Sequence, residues 1–263
     1  MSELKKLYDK SKIWFSVVWI IAYCVLMSVG DSLSAMLGVE KSVTLAVGLV
    51  LSGVLLLFLW KNGLFESYGL CLPRVSARAM LYYVPVFVLL TANLWYGVKL
   101  NYGIVETVLY ALSMLLVGFL EEMIFRGLLF EALRKDGLGF AIIVSSLTFG
   151  IGHIVNLING SGAELLPNLL QVVYATSAGF MFVMMYCKSG SLLVCIASHG
   201  IFNALSVIAS AEAEAVGMRI ISAVLITLIT GFYAAFLALS IKKDLIEEIK
   251  KGCNNEKAAD NGI

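Results

Sequence analysis

Long apolar runs separated by short polar joints make up most of the chain. A helix needs about 20 mostly apolar residues to cross the hydrocarbon core of a bilayer, and charged residues, Gly, Asn or Pro mark the ends of such runs. Eight runs approach this length, at residues 13–30, 43–60, 80–99, 108–133, 138–158, 168–187, 191–209 and 218–241. The joints between them are too short for a soluble domain. The pattern therefore predicts an all-α fold, a polytopic membrane helical bundle with about eight transmembrane helices.

The two ends of the chain are polar. We predict a cytoplasmic N-terminal segment at residues 1–12, a membrane domain at 13–241, and a cytoplasmic polar tail at 242–263 with a helical turn near 244–251. The first apolar run resembles the apolar region of a signal peptide. It is long, however, and seven further runs follow it, so we interpret it as an uncleaved anchor.

Composition supports the membrane interpretation. The 263 residues are 60% hydrophobic and 14% charged, whereas soluble globular chains have roughly 45–50% and about 25%. A formal net charge of +1, without a basic region, argues against a nucleic-acid-binding protein. The five cysteines lack the spacing of disulfides or metal ligands.

The distribution of lysine and arginine predicts the orientation. If the N-terminus is cytoplasmic, 15 of the 19 basic residues fall on the inside, three on the outside, and Arg126 within a span. Basic residues accumulate on the cytoplasmic side of membrane proteins. We therefore expect both termini in the cytoplasm.

Few ionisable side chains lie within the predicted spans, and they cluster. Such a side chain costs several kcal/mol at bilayer depth, so it needs a partner, an aqueous cavity or a function. In a helix with 100° per residue, Glu122 and Arg126 lie 40° apart and can form an ion pair. Glu121 points about 100° away from Glu122. We therefore expect Glu122 to be neutralised and Glu121 to face a cavity.

Both histidines of the protein also lie within apolar runs. Phe149 and His153 are one helical turn apart in the fifth run, and His199 and Asn203 are one turn apart in the seventh. At about 1.5 Å per residue, Glu121, both histidines and Asn203 lie at roughly similar depths. We expect these four side chains to share one cavity.

This set of residues suits the hydrolysis of a peptide bond. The reaction needs an activated water, a donor set for the oxyanion and a proton for the leaving amine. Glu121 suits the base, with His153 helping to hold the water, and His199 and Asn203 suit an oxyanion hole. The same four residues could instead bind a divalent ion such as Zn²⁺. The chain contains neither a G-x-S-x-G elbow nor an H-E-x-x-H zinc motif.

Three motifs carry a family resemblance. E-E-x-x-x-R at Glu121 to Arg126, F-x-x-x-H at Phe149 to His153, and H-x-x-x-N at His199 to Asn203 resemble the signature motifs of the CAAX-protease and bacteriocin-processing (CPBP) family of intramembrane endopeptidases. They occur in the family order, between about residues 118 and 205. Residues 1–100 contribute no motif.

The resemblance implies peptide-bond cleavage within the membrane, with no cofactor in the glutamate-based mechanism. Glu121 would be the general base, His153 would orient the water, and His199 with Asn203 would stabilise the oxyanion. Glu122, Arg126 and Phe149 would be supporting residues. Zn²⁺ is the alternative, because family members were long described as metalloproteases.

The resemblance also implies a membrane-embedded or amphipathic peptide as substrate, a lipid environment and a possible membrane-protein partner. The compact chain, without a targeting extension, is expected to lie in a bacterial plasma membrane. Since bacterial relatives process peptide pheromones and bacteriocins or protect against them, we expect an unprenylated substrate. Two other functional classes stay open at this stage. One is a transporter or bacteriocin-immunity factor that uses the buried acids without cutting a peptide. The other is a non-catalytic membrane scaffold.

Overall fold

The computed structural model describes residues 2–76, 84–159, 164–210 and 216–260 of the chain, and these are almost entirely helical. No β-strand occurs in the described ranges. The helices in chain order are α1 (Ser2–Lys10), α2 (Lys12–Leu37), α3 (Ser42–Lys61), α4 (Val84–Leu90), α5 (Ile104–Glu122), a π-helix (Met123–Phe130), α6 (Glu131–Leu133), α7 (Leu138–Gly152), α8 (Leu165–Ser189), α9 (Leu193–Leu205) and α10 (Val216–Asp260).

Six of the helical segments are long and apolar enough to cross a membrane. They are Lys12–Leu37, Ser42–Lys61, Ile104–Asp136, Leu138–Leu157, Leu165–Ser189 and Val216–Lys242. Many of their large apolar side chains are exposed on the outer surface. Such a surface suits lipid, where exposed apolar groups carry no penalty.

The predicted count of eight spans is not confirmed, because the third and seventh runs form shorter apolar helices. These are Val84–Leu94 and Leu193–Ile208; the start of the third run, residues 80–83, lies outside the described residues. Both helices end where the chain becomes extended, at an isolated antiparallel bridge between Val98 and Ala209. A turn precedes the bridge at Gly97, whose φ of +101° suits glycine. The backbone polar groups there pair with each other instead of continuing a helix.

Side-chain hydrogen bonds also hold the end of α9 in place. Asn93 Nδ2 donates to the carbonyl oxygen of Phe202 at 2.6 Å. Asn101 Nδ2 donates to the carbonyls of Val207 and Ala209, each at 3.0 Å. These bonds hold the α9 helix, with its two motif residues, against the α4 region.

Small residues let the central helices approach closely. A Cβ atom on Gly118 of α5 would lie 2.5 Å from the backbone nitrogen of Gly200 in α9. A Cβ on Gly150 of α7 would collide with Thr176 of α8. Small residues at helix crossings are typical of membrane bundles. The first crossing joins two motif-bearing helices, and the second packs the third motif-bearing helix, α7, against α8.

The N-terminal and C-terminal helices frame this centre. Near the first helices, Tyr8, Phe15 and Phe58 form an aromatic cluster, and the Tyr68 hydroxyl donates to the Tyr8 hydroxyl at 2.9 Å. Helix α10 packs along α8. It continues to Asp260, through most of the predicted polar tail, where the sequence pattern predicted only a single helical turn.

Candidate active site

The first motif lies where an α-helix changes to a π-helix. Glu121 and Glu122 are the last residues of α5, and Arg126 lies in the π-helix that follows, all of whose residues are buried. The Ser145 hydroxyl of α7 donates to the carbonyl of Phe125 at 2.8 Å, which satisfies a backbone group of this segment. π-Helical turns within α-helices are frequent at functional sites.

Glu122 and Arg126 form the predicted ion pair, sealed from solvent. Arg126 Nη1 lies 3.0 Å from Glu122 Oε1, and both side chains are fully buried. The guanidinium carbon lies 4.1 Å from the ring centre of Phe149 and 5.5 Å from that of Phe182. The aromatic faces attract the cation in place of water.

Glu121 points to the opposite side, as predicted, but it is not free of partners. Its Oε1 accepts a hydrogen bond from the Tyr23 hydroxyl of α2 at 2.8 Å. Its Oε2 lies 3.3 Å from His199 Nε2. Two other helices, α2 and α9, therefore supply partners to this carboxylate, which spacing along α5 did not predict.

His199 bridges the two glutamates. Its Nδ1 lies 2.8 Å from Glu122 Oε1, and its Nε2 faces Glu121. A neutral imidazole can donate from only one nitrogen, whereas a protonated ring donates from both. With a protonated ring, the two glutamates, Arg126 and His199 together carry no net charge. The ring also stacks on Phe182, with centres 5.2 Å apart.

His153 lies at the end of α7, where the helix tightens into the 3-10 segment His153–Leu157. Its Nδ1 is 3.1 Å from the carbonyl oxygen of Phe149. A carbonyl only accepts, so Nδ1 carries the proton and Nε2 of the neutral ring is an acceptor. Asn168 of α8 donates to the His153 carbonyl at 2.8 Å, which fixes the backbone at this position.

One cavity of about 350 Å³ brings the four predicted catalytic residues together. Glu121, His153, His199 and Asn203 all contribute to its lining. The Asn203 side chain has no hydrogen-bond partner within the described part of the chain, so its amide is available to a ligand. Further polar side chains from several helices line the same cavity, including Ser28, Asp31, Asn93, Asn156, Asn159, Gln171 and Tyr174.

A smaller pocket of about 90 Å³ lies behind the histidines. It shares Phe149, His153, His199 and Asn203 with the larger cavity. Its other walls are mostly apolar and come from α4, α8 and α10; they include Val86, Leu89, Ala175, Ala178, Met181 and Ile226. The candidate site therefore has a polar side and an apolar side.

The geometry bears on the alternative Zn²⁺ site through His199. Both nitrogens of this residue face carboxylates, so the ring would have to give up one of these partners to bind an ion. Among the described residues, no group of three or more His, Cys, Asp or Glu side chains is placed to hold an ion.

Sequence reasoning missed two residues of the site. Tyr23 belongs to a helix without a motif, and the only signal was a phenol within an apolar run. Phe182 contacts both Arg126 and His199, but an aromatic residue in an apolar helix has no distinguishing pattern. Phe149, predicted as supporting, packs against His153 and His199 as well as Arg126.

Comparison with known proteins supports the motif assignment. Residues 103–205 match the family model described as type II CAAX prenyl endopeptidase Rce1-like. The match runs from the residue before α5 to the end of α9, so it includes all three motifs and confirms the resemblance. A search of curated proteins finds no match to the chain. Together with the six apolar helices, the family match indicates a multi-pass membrane protein.

Proposed function

We propose that this protein is an intramembrane endopeptidase that hydrolyses a membrane-embedded or amphipathic peptide. The observation that carries the proposal is the cavity of about 350 Å³ lined by Glu121, His153, His199 and Asn203. The match of residues 103–205 to an endopeptidase family supports the same reaction class.

In the proposed reaction, Glu121 is the general base. A water held between Glu121 and His153 Nε2 attacks the carbonyl carbon of the scissile bond, and its proton passes to Glu121. A tetrahedral oxyanion forms and accepts hydrogen bonds from the Asn203 amide and from His199 Nε2–H, redirected from Glu121. The C–N bond then breaks, and Glu121 returns the proton to the leaving amine.

Glu122 and Arg126 have a different role in this proposal. They are fully buried, and Glu122 contacts His199 from the side away from the cavity. The carboxylate accepts a hydrogen bond from Nδ1 and fixes the ring orientation, and when the ring is protonated Nε2 is a donor as well. The ion pair thus supports the oxyanion site without touching the substrate.

We propose further that the reaction needs no metal. The support is the pairing of both His199 nitrogens with carboxylates. Activity should survive exhaustive chelation, with less than stoichiometric metal per chain by elemental analysis. Loss of cleavage on chelation and its recovery with Zn²⁺ would contradict this.

The substrate is proposed to be unprenylated, with an apolar side chain next to the scissile bond. The pocket of about 90 Å³ is smaller than an apolar cavity of about 150 Å³ that accepts benzene, so its size suits an aliphatic side chain. Paired peptides that differ only by a prenyl group test this. Cleavage restricted to the prenylated member would contradict it.

We also propose that the protein lies in a bacterial plasma membrane, as the family resemblance suggests, and that both termini are cytoplasmic, as the distribution of basic residues predicts. Reporter fusions at each terminus, scored for cytoplasmic or external activity, test the orientation. An external reporter signal at either end would contradict it.

The decisive experiment compares the wild type with Glu121→Gln in lipid vesicles. A library of amphipathic peptides is added, and new termini are identified by mass spectrometry. Glu121→Gln keeps the side-chain shape but removes the base, so we expect cleavage to fall by about 10²–10⁴-fold. His199→Ala should lose cleavage as well.

Glu106→Gln is the matched control. Glu106 lies in the first turn of the same helix, accepts a hydrogen bond from the Glu40 backbone, and does not line the cavity. Its cleavage should stay within about twofold of the wild type. Unchanged cleavage in Glu121→Gln would overturn the mechanism. A cellular phenotype that persists in that variant would favour a scaffold.

A further inference from the structure

Tyr23 connects a helix without motifs to the proposed catalytic base. It lies on α2, 80 residues before the segment that matches the endopeptidase family begins at residue 103. Its side chain is 9% exposed and lines the larger cavity. Its hydroxyl donates to Glu121 Oε1 at 2.8 Å.

This bond restrains the carboxylate in a specific way. Glu121 has two oxygens, and Tyr23 contacts one while His199 faces the other. A carboxylate at the end of a long side chain can rotate unless each oxygen has a fixed partner. A phenol that donates to an ionised carboxylate also stabilises the charged form, because such charge-assisted bonds are stronger than neutral ones.

We propose that Tyr23 is a positioning residue that orients the Glu121 carboxylate. The inference rests on the proposed function in one respect, the role of Glu121 as base. It makes α2 part of the active site, although the three motifs lie on other helices. The endopeptidase centre would then need the N-terminal region for its rate as well as for its fold.

The proposal predicts a loss of rate and not of substrate binding. Without the Tyr23 hydroxyl, Glu121 Oε1 loses that partner, so the carboxylate is less well oriented towards the attacking water. The expected result is a lower kcat with little change in KM. The other polar groups facing the cavity or Glu121 are unchanged in a Tyr23→Phe variant, so the effect reports the lost hydroxyl.

Tyr68→Phe is the matched control for Tyr23→Phe. Tyr68 is also buried, and its hydroxyl donates to Tyr8, far from Glu121 in sequence and outside the cavity lining. Burial and the bond to Tyr8 raise the pKa of Tyr68, so its hydroxyl stays a donor at neutral pH. Both substitutions remove one buried hydroxyl and keep the ring.

For Tyr23→Phe we expect kcat to fall about tenfold with KM within twofold. Tyr68→Phe should leave both kcat and KM unchanged. An unchanged kcat in Tyr23→Phe, or the same change in both variants, would overturn the proposal.

Infrared spectroscopy tests the contact without any cleavage. The carboxylate band of Glu121 is the band lost in Glu121→Gln, and it should shift in Tyr23→Phe but not in Tyr68→Phe. 3-Fluorotyrosine at position 23 keeps the residue shape and strengthens the donor, so it should move the band the opposite way. A band that shifts with neither change at position 23 would refute the role of Tyr23. Absence of any cleavage by the wild type would instead refute the proposed endopeptidase.

Discussion

Helix α5 ends in two adjacent glutamates, Glu121 and Glu122, whose surroundings differ. On one side, Glu122 and Arg126 are fully buried and covered by Phe149 and Phe182. On the other side, Glu121 lines a cavity of about 350 Å³. We call these the sealed side and the cavity side.

The difference shows how neighbouring acids can acquire separate roles. On the sealed side, a cation lies within hydrogen-bond distance, so the charge is balanced where water cannot enter. On the cavity side, the carboxylate has neutral or histidine partners and space for a substrate. His199 contacts both sides, so the buried ion pair can influence the carboxylate that lines the cavity. The following predictions test this division, beginning with the largest effect.

Arg126→Leu should have the largest effect, on stability. It leaves Glu122 buried without its cation, which costs about 3–5 kcal/mol of unfolding free energy. Unfolding in mixed micelles with increasing dodecyl sulfate measures the loss. The double variant Glu122→Leu/Arg126→Leu removes both charges and should recover much of it. If the loss of unfolding free energy in the double variant equalled the sum of the losses in the two single variants, Glu122 and Arg126 would not stabilise each other.

Asn203→Ala should show the opposite behaviour. Loss of one oxyanion donor lowers kcat by about 10²–10³-fold, with little change in KM. Because the amide has no partner among the described residues, the unfolding free energy should change by less than about 0.5 kcal/mol. Cleavage kinetics and unfolding of the same preparation measure both quantities. Normal kcat with a large loss of stability would place Asn203 in a structural role.

Gly118→Ala tests the crossing of α5, which carries both glutamates, with α9, which carries His199. The new methyl would lie 2.6 Å from Gly200 Cα, so α5 and α9 must move apart. We expect a loss of about 1–3 kcal/mol in unfolding free energy and reduced cleavage, because His199 moves with α9. Gly53→Ala in α3 is the control, since nothing lies within 4 Å of the added atom. Equal effects in both variants would show that the crossing is not specific.

Phe182→Leu should have the smallest effect. The ring stacks on His199 and lies near Arg126, and such aromatic contacts contribute about 0.5–1.5 kcal/mol. We expect a loss of that size in unfolding free energy and a fall in kcat of less than about tenfold. Phe232→Leu on α10 is the control, because Phe232 is exposed on the outer surface. A larger effect at Phe232 would contradict a role for stacking.

Much of the site could be predicted from spacing along single helices. The pair of Glu122 and Arg126 follows from their separation of four residues, and the π-helix keeps them within 3.0 Å. The four catalytic candidates line one cavity, as expected from the sequence, and small residues let the helices approach closely. Within one helix, the number of residues between two side chains sets the angle between the directions in which they point.

Contacts between distant helices could not be predicted in this way. Tyr23 and Glu121 are 98 residues apart, and His199 and Glu122 are 77 apart. Which face of α2 meets α5 depends on packing over the whole bundle. The short helices in the third and seventh runs likewise depend on a long-range pairing, the bridge of Val98 with Ala209.

The sequence by itself determined the helical membrane character, the ion pair and the set of candidate residues. These follow from local hydropathy and from the geometry of one helix, which short segments already contain. Only the tertiary structure decided which carboxylate is sealed and which lines a cavity. It also gave Glu121 its Tyr23 partner and placed His199 between the two glutamates. The physical reason is that solvent exclusion and hydrogen-bond partners come from other helices, whose arrangement no single segment specifies.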